Sequence, residues 1–159
     1  AVEKGVRQAL ASGAIAGYPM QDIRVVVYDG KHHPVDSKEV AFIAAGKKAF
    51  LDAVGKARPQ VLEPIADLEV SAPEQHMGDI SGGLSSKRAR INGTDTLRGG
   101  EIVVKAQVPM SELEGYAAEL KSVTAGRGRY ALDFSHYEPV PAQVQQRLVE
   151  AWKPHHDDD

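Results

Sequence analysis

Two stretches of this chain carry the same pattern, and that repetition constrains the fold more than any other feature. Ala66 to Val70 is a short apolar-rich run that leads to Pro73, and Met77, Ile80 and Leu84 follow that proline at offsets of 4, 7 and 11. Glu101 to Val108 is a second such run leading to Pro109, and Leu113, Tyr116 and Leu120 follow at the same three offsets. Proline suits the first turn of a helix, and apolar residues at this spacing line one helical face. Each predicted helix gives way to a small or basic stretch and then to another strand, Ala89 to Gly93 in one copy and Arg129 to His136 in the other. Two β-α-β units in series give βαββαβ, the ferredoxin-like sandwich of the α+β class, with four antiparallel strands and both helices on one face.

The residues before the repeat have a different organisation. Val2, Val6, Ala9 and Leu10 are spaced for a helix over residues 2–12, which Gly13 ends. Residues 22–28, rich in β-branched side chains, read as a strand broken at Asp29-Gly30. A polar loop covers residues 30–36. A second helix is expected from Asp36 or Ser37, with Asp36 and Glu39 at capping-box spacing and Val40, Ile43, Ala44, Phe50, Leu51 and Val54 as its buried stripe. Lys56 to Pro59 reads as a boundary. The expected domains are therefore a partial α+β domain, 1–57, and the ferredoxin-like domain, 58–159. The latter ends in a helix after Pro141, with Val144, Leu148, Ala151 and Trp152 on one side, and a frayed tail from Pro154.

A single strand at 22–28 lacks neighbours for its backbone groups, so residues 1–57 are expected to be less protected than 60–140 or completed by another copy. The start at Ala1, with no initiator Met, reads as a piece of a longer protein.

Composition narrows the chemistry. Apolar residues make up 42% of the 159 residues and charged residues 26%, as in an ordinary folded protein. Cysteine is absent, which excludes disulfides, thiolate metal sites and a cysteine nucleophile, and suits a reducing, cytoplasmic location. No run is long enough to cross a membrane. No phosphate-binding glycine loop with its lysine, no H-E-x-x-H and no G-x-S-x-G occurs, so neither a catalytic site nor a cofactor site is expected. Of the six histidines, His32-His33 and His155-His156 are adjacent pairs. Neighbours in a loop rarely face one ion, and the second pair lies in the tail, so no metal site is assigned.

The net charge is −3, to which Asp157, Asp158 and Asp159 contribute three negatives, so the rest of the chain balances. Contact with nucleic acid therefore depends on local patches. Lys87, Arg88, Arg90 and Arg98 fall in residues 84–98, where Asp95 is the one acid. Lys121, Arg127 and Arg129 fall in residues 121–130, which hold none. Both clusters follow a predicted helix at equivalent points of the repeat, and both connections are expected at the same end of the sandwich, as one basic edge. They are either phosphate-contacting groups, with Gly126-Arg127-Gly128 permitting close approach, or ordinary solvated helix ends.

Many short motifs, in order, resemble elongation factor G. Ala16-Gly17-Tyr18-Pro19, Tyr28-Asp29-Gly30, His33 and Val35-Asp36-Ser37 are similar to the second half of its fourth domain. Leu62-Glu63-Pro64-Ile65, Met77-Gly78-Asp79, Arg88-Ala89-Arg90-Ile91, Val108-Pro109, Thr124-Ala125-Gly126-Arg127-Gly128 and His136-Tyr137-Glu138-Pro139-Val140-Pro141 are similar to its fifth. The resemblance covers about residues 2–150.

It implies that the loop bearing Lys31, His32, His33 and Pro34 lies at the tip that enters the decoding site and meets tRNA and mRNA, with His33 at the position of the family's tip histidine. It implies that the fifth domain meets large-subunit rRNA and stalk-base proteins of the ribosome, with Lys87, Arg88, Arg90, Arg127 and Arg129 as the contacting cations, and that the upstream domains of the parent chain are further partners. GTP is bound and hydrolysed by one of those upstream domains. The family usually has an aromatic residue where His32 stands, an acidic or polar one where Pro34 stands, and Gly where Ala89 stands. Those departures keep a ribosome-recycling or elongation factor G-like paralogue as the alternative to a translocation factor; a ribosomal protection protein ranks lower because its tip loop differs. A free-standing ferredoxin-like ligand-binding domain is the alternative from another class, and the partial domain in front argues against it.

This reading predicts that the purified chain neither binds nor turns over GTP. Saturable nucleotide binding in a calorimetric titration would overturn it.

Overall fold

The structure, a computed structural model, describes residues 1–35 and 37–152. Its contacts divide the described residues into two units, 1–61 with 140–152, and Leu62–Pro139.

The first unit is organised by two helices that touch backbone to backbone. Helix α1, Val2–Ser12, buries Val6 and Ala9 and ends at Gly13, whose N–H donates to the Ala9 carbonyl at 3.0 Å. Helix α2, Glu39–Lys56, buries Phe50 and Val54 against them, with Leu10, Ala14, Met20 and Leu51 around this core. The approach is set by Gly5 and Gly46, both buried. A Cβ at Gly5 would lie 2.0 Å from the Ile43 carbonyl oxygen, and one at Gly46 would lie 2.8 Å from the Val2 carbonyl oxygen. No side chain fits either place without parting the helices.

Three sequence expectations change in this unit. Residues 22–28 form no strand: nothing among the described residues of this unit supplies a ladder partner, and a strand exists only through such pairing. Ile23, Val25, Val26, Val27 and Tyr28 are instead exposed, Tyr28 at 95%. Helix α2 begins at Glu39 rather than at 36 or 37, with Lys38 as its N-cap and no side-chain cap. Its expected buried stripe is shorter than anticipated, since Val40 and Ala44 are exposed, Val40 at 75%. Asp36, the expected capping residue, lies outside the described residues, as do His155, His156 and the tail.

The last helix, α5, Ala142–Ala151, follows Pro141 as anticipated and half-buries Val144, Leu148 and Trp152. By packing it belongs to the first unit.

The second unit is the βαββαβ sandwich. Its elements are β1 (Leu62–Pro73), α3 (Met77–Ser86), β2 (Arg90–Leu97), β3 (Glu101–Pro109), α4 (Tyr116–Val123) and β4 (Arg129–Pro139). The sheet order is β2-β3-β1-β4, and every neighbouring pair is antiparallel. Alternation sorts the side chains: Leu68, Val70 and Ala72 of β1, and Ile102, Val104, Ala106 and Val108 of β3, point into the core, while Asp67, Glu69 and Lys105 point out. Ile80 and Leu84 of α3, and Tyr116 and Leu120 of α4, close the core from the helical side. Each fully buried aliphatic side chain contributes roughly 1.5–3 kcal/mol.

The repeat is regular in its strands and looser in its helices. Both prolines lead into a 3₁₀ turn, Glu74–His76 and Met110–Leu113. After the second turn Gly115 adopts φ 74°, so α4 starts only at Tyr116, and Leu113 packs from the turn.

The paired glycines generate a prediction. Gly5→Ala gains about 1 kcal/mol of helix propensity but forces apart two packed backbones, and overpacking of this kind costs about 1–3 kcal/mol. Net destabilisation in urea unfolding is expected. An unchanged or raised midpoint would show that the helices are free to separate.

Candidate functional site

The loop bearing the candidate tip residues is held by one hydroxyl. Ser37 Oγ accepts the His33 N–H at 2.9 Å and donates to the His33 carbonyl, which ties both backbone groups of His33 to one side chain. At the entrance to the loop, Asp29 Oδ1 accepts the Gly30 N–H at 2.7 Å. Lys31, His32, His33 and Pro34 are all exposed on the arch between these anchors. None of the ion pairs among the described residues engages Lys31, His32 or His33. The sequence does not single out Ser37 as a support, and its spacing of four residues from His33 is the only signal it gives.

The second candidate site is the loop after α4. Thr124 is buried, donates from Oγ1 to the Leu120 carbonyl at 2.6 Å and accepts the Gly128 N–H at 2.7 Å. The Gly126 N–H returns to the Lys121 carbonyl at 2.7 Å, and the Arg127 N–H to the Thr124 carbonyl at 3.1 Å. These bonds fix residues 124–128 as a rigid knuckle with Arg127 exposed on it and Arg129 at the start of the next strand. Arg129 has one ion-pair contact, a distant 3.9 Å to Glu101, and Arg127 has none among the described residues.

The other three cations are engaged inside the protein. Lys87 pairs with Glu119 at 2.7 Å, and its ammonium lies 5.9 Å from the Tyr116 ring centroid. Arg88 makes a two-pronged contact with Glu63, at 2.7 and 2.9 Å, and a third bond to Glu112 at 3.0 Å. Glu63 is only 8% exposed, so the guanidinium is its compensating charge. The hydrogen bonds that Arg88 donates to Glu63, and then to Glu112, hold it still more firmly protonated than usual, against the opposing effect of burial. Arg88 sits at φ 57° between Lys87 and Ala89, whose N–H groups both return to the Leu84 carbonyl and close α3. A left-handed non-glycine residue costs about 1–2 kcal/mol, which the two acids offset. Arg90 bonds to Glu138 at 2.6 Å and to Gln107 at 3.3 Å.

The two clusters do not form one edge. Arg90 opens β2 opposite Gln107, which is itself opposite Asp67 of β1, whereas Arg129 opens β4 opposite Ser71 of β1. Four residues of β1 separate those rows, about 13 Å along the strand, and β2 and β4 are the two outer strands. The expected common edge fails because β1 and β3 are antiparallel. The two helix-to-strand connections therefore enter the sheet from opposite ends.

Beside Arg90, Glu138 also accepts from His136 Nε2 at 2.7 Å. The bond from His136, and then that from Arg90, hold the Glu138 carboxyl below the usual carboxylate range. Among the described residues no group of three or more His, Asp or Glu is placed to hold a metal ion. Among the same residues no helix is long and apolar enough to cross a membrane.

Comparison with known proteins follows this division. Residues 1–58 match the family model "Elongation factor G, domain IV", and residues 60–148 match "Elongation factor G C-terminus". Elongation factor G of Aquifex pyrophilus is 47% identical over 148 residues, which is 93% of this chain and 21% of that protein. A crystal structure of a Thermus thermophilus protein superposes with a TM-score of 0.75 at 40% identity, covering 94% of this chain and 22% of the other. The chain belongs to the elongation factor G family. It spans about a fifth of the length of the relatives it matches.

Two predictions arise here. Arg88→Ala leaves Glu63 buried without its partner and is expected to destabilise the protein by about 2–3 kcal/mol. Denaturant unfolding measures this, and a loss below about 0.5 kcal/mol would show that the network is dispensable. Glu138 has a depressed carboxyl pKa, so its stabilising contribution is present above the ordinary carboxylate range and is lost as pH falls through its folded value. The stability gap between wild type and Glu138→Gln is therefore expected at neutral pH and absent in acid, as followed by thermal unfolding across pH.

Proposed function

We propose that this chain is the ribosome-contacting part of a translational GTPase that acts in tRNA–mRNA translocation in the cytoplasm. On this reading the loop Lys31, His32, His33, Pro34 enters the decoding site beside tRNA and mRNA. Arg127 and Arg129 contact large-subunit rRNA near the stalk-base proteins. Lys87, Arg88 and Arg90 shape the domain that presents them. GTP is bound and hydrolysed elsewhere in the parent protein.

The observation that carries the reading is the pinned loop. Ser37 holds the loop backbone at both groups of His33 and leaves the cationic and imidazole side chains displayed. A loop already shaped loses little entropy on docking. A neutral imidazole offers one donor and one acceptor, and a charged one two donors, so His33 suits a phosphate or a ribose hydroxyl. Charge distribution supports the same assignment. Residues 1–61 hold nine Lys and Arg against six Asp and Glu, whereas residues 62–139 hold eight against twelve. The second unit can therefore approach RNA only where a cation stands clear of acids, as Arg127 does.

In the full-length parent, His33→Ala is expected to slow mRNA displacement by the equivalent of about 1–3 kcal/mol, with ribosome-stimulated GTP turnover nearly intact. Rapid kinetics of both steps tests this. Unchanged displacement would remove His33 from the mechanism, and equal loss of both steps would indicate failed binding. Arg127→Ala is expected to lower the salt dependence of ribosome binding by about one unit of slope. An unaltered slope would show that Arg127 does not meet phosphate.

A further inference from the structure

Arg98 belongs by sequence to the basic stretch 84–98, but the sheet carries it away from Lys87, Arg88 and Arg90. It opens the turn Arg98-Gly99-Gly100, which joins β2 to β3 just beyond the pair Leu97–Glu101. Glu101 stands opposite Pro73 at the end of β1, and Arg129 stands opposite Ser71 of the same strand. The hairpin tip and the Arg127 knuckle therefore share one end of the sheet. Their rows are two residues of β1 apart, about 7 Å, and β2 and β4 are three strand spacings apart, about 14 Å. Gly99 and Gly100 adopt φ 90° and 78°, which glycine takes without strain. A Cβ on either would meet nothing within 4 Å, so the tip stands in open space. Its backbone is nevertheless tied down, since the Gly100 carbonyl accepts the Glu74 N–H at 2.9 Å. Arg98 is exposed and pairs with no acid among the described residues. Glu101, at the far side of the turn, comes within 3.9 Å of Arg129 instead.

We propose that Arg98 is a further contact to the RNA backbone, and that the hairpin tip and the knuckle grip one RNA from two points at this end of the sheet. The proposal rests on the ribosomal reading in taking RNA as the ligand, and it adds a residue and a footprint to that reading. A guanidinium offers a planar fork of donors that matches two phosphate oxygens. Arg98 and Arg127 both stand on backbone that is already fixed, so little entropy is lost on docking. Neither gives up an internal carboxylate to bind, as Arg88 and Arg90 would. Phosphate contacts fix position and carry no base sequence. This end of the sheet thus sets where the domain sits on its RNA, and not which bases it meets.

The test is the binding of the 159-residue chain to large ribosomal subunits, followed by fluorescence anisotropy across a salt series. Arg98→Ala is expected to lower the slope of log affinity against log salt by about one unit, Arg127→Ala by as much, and the double variant by about two. Arg98→Lys keeps the charge and is expected to stay near the wild-type slope. Lys48→Ala, which removes an exposed cation of the first unit, is expected to match wild type. Equal urea midpoints for wild type and Arg98→Ala show that the variant is folded. Protein-free RNA of the large subunit is expected to give the same order of slopes. A slope lowered by Arg127→Ala but not by Arg98→Ala would overturn this proposal and leave the ribosomal reading standing. A wild-type chain without salt-dependent binding to the subunits would overturn both. An Arg98→Ala effect on the subunits that is missing on the free RNA would assign the residue to an acidic protein, and overturn the proposal as well.

Discussion

The pairing of β1 with β3 governs the second unit. These two strands lie at the centre of the sheet, antiparallel, with Leu68, Val70, Val104 and Ala106 facing the helices from adjacent rows. Each β-α-β unit must therefore send its second strand past the other unit's first strand to reach an edge. That one constraint explains the all-antiparallel sheet, the placement of both helices on the same face and the separation of the two helix-to-strand connections. The basic residues that follow the helices are carried to opposite ends of the sheet by the same geometry that gives the domain its core.

Charge neutralisation follows from topology as well. Glu63 lies at the start of β1, and the α3–β2 connection arrives at that end, so Arg88 meets a buried carboxylate there. Glu138 closes β4 at the same end and meets Arg90. The α4–β4 connection arrives where β1 finishes, and among the described residues only Glu101 lies within reach of Arg129. Equivalent positions of a sequence repeat have thus diverged, one into an internal ionic network and the other into an exposed cationic knuckle.

Much of this fold is legible in the sequence because it is written in short-range periodicity. The helix Val2–Ser12, the alternation of β1 and β3, the helical anchors Ile80, Leu84, Tyr116 and Leu120, and the proline before α5 all emerge within windows of a few residues. What local pattern conceals is partnership. Residues 22–28 have strand composition, yet strand structure needs a neighbour that composition does not reveal. Residues 84–98 look basic when counted alone, yet Arg88 and Arg90 find their acids 24, 25 and 48 positions away. Ser37 and Thr124 escape notice for another reason, since a hydroxyl that ties a loop has the same letter as one that meets only water. The loop residues 31–34 stand out through resemblance to a family, and periodicity alone gives them no distinction.

The membership of α5 in the first unit also sets an order of assembly. Residues 1–61 are made before the sheet, but the helix grouped with them in one unit lies beyond the whole sheet in sequence. The sheet unit is continuous in sequence and can close as soon as β4 has been made. The earlier-made unit is complete only when residues 142–151 have been synthesised. The sheet unit is thereby complete in sequence before the unit that precedes it, the opposite of the usual progression from the amino terminus.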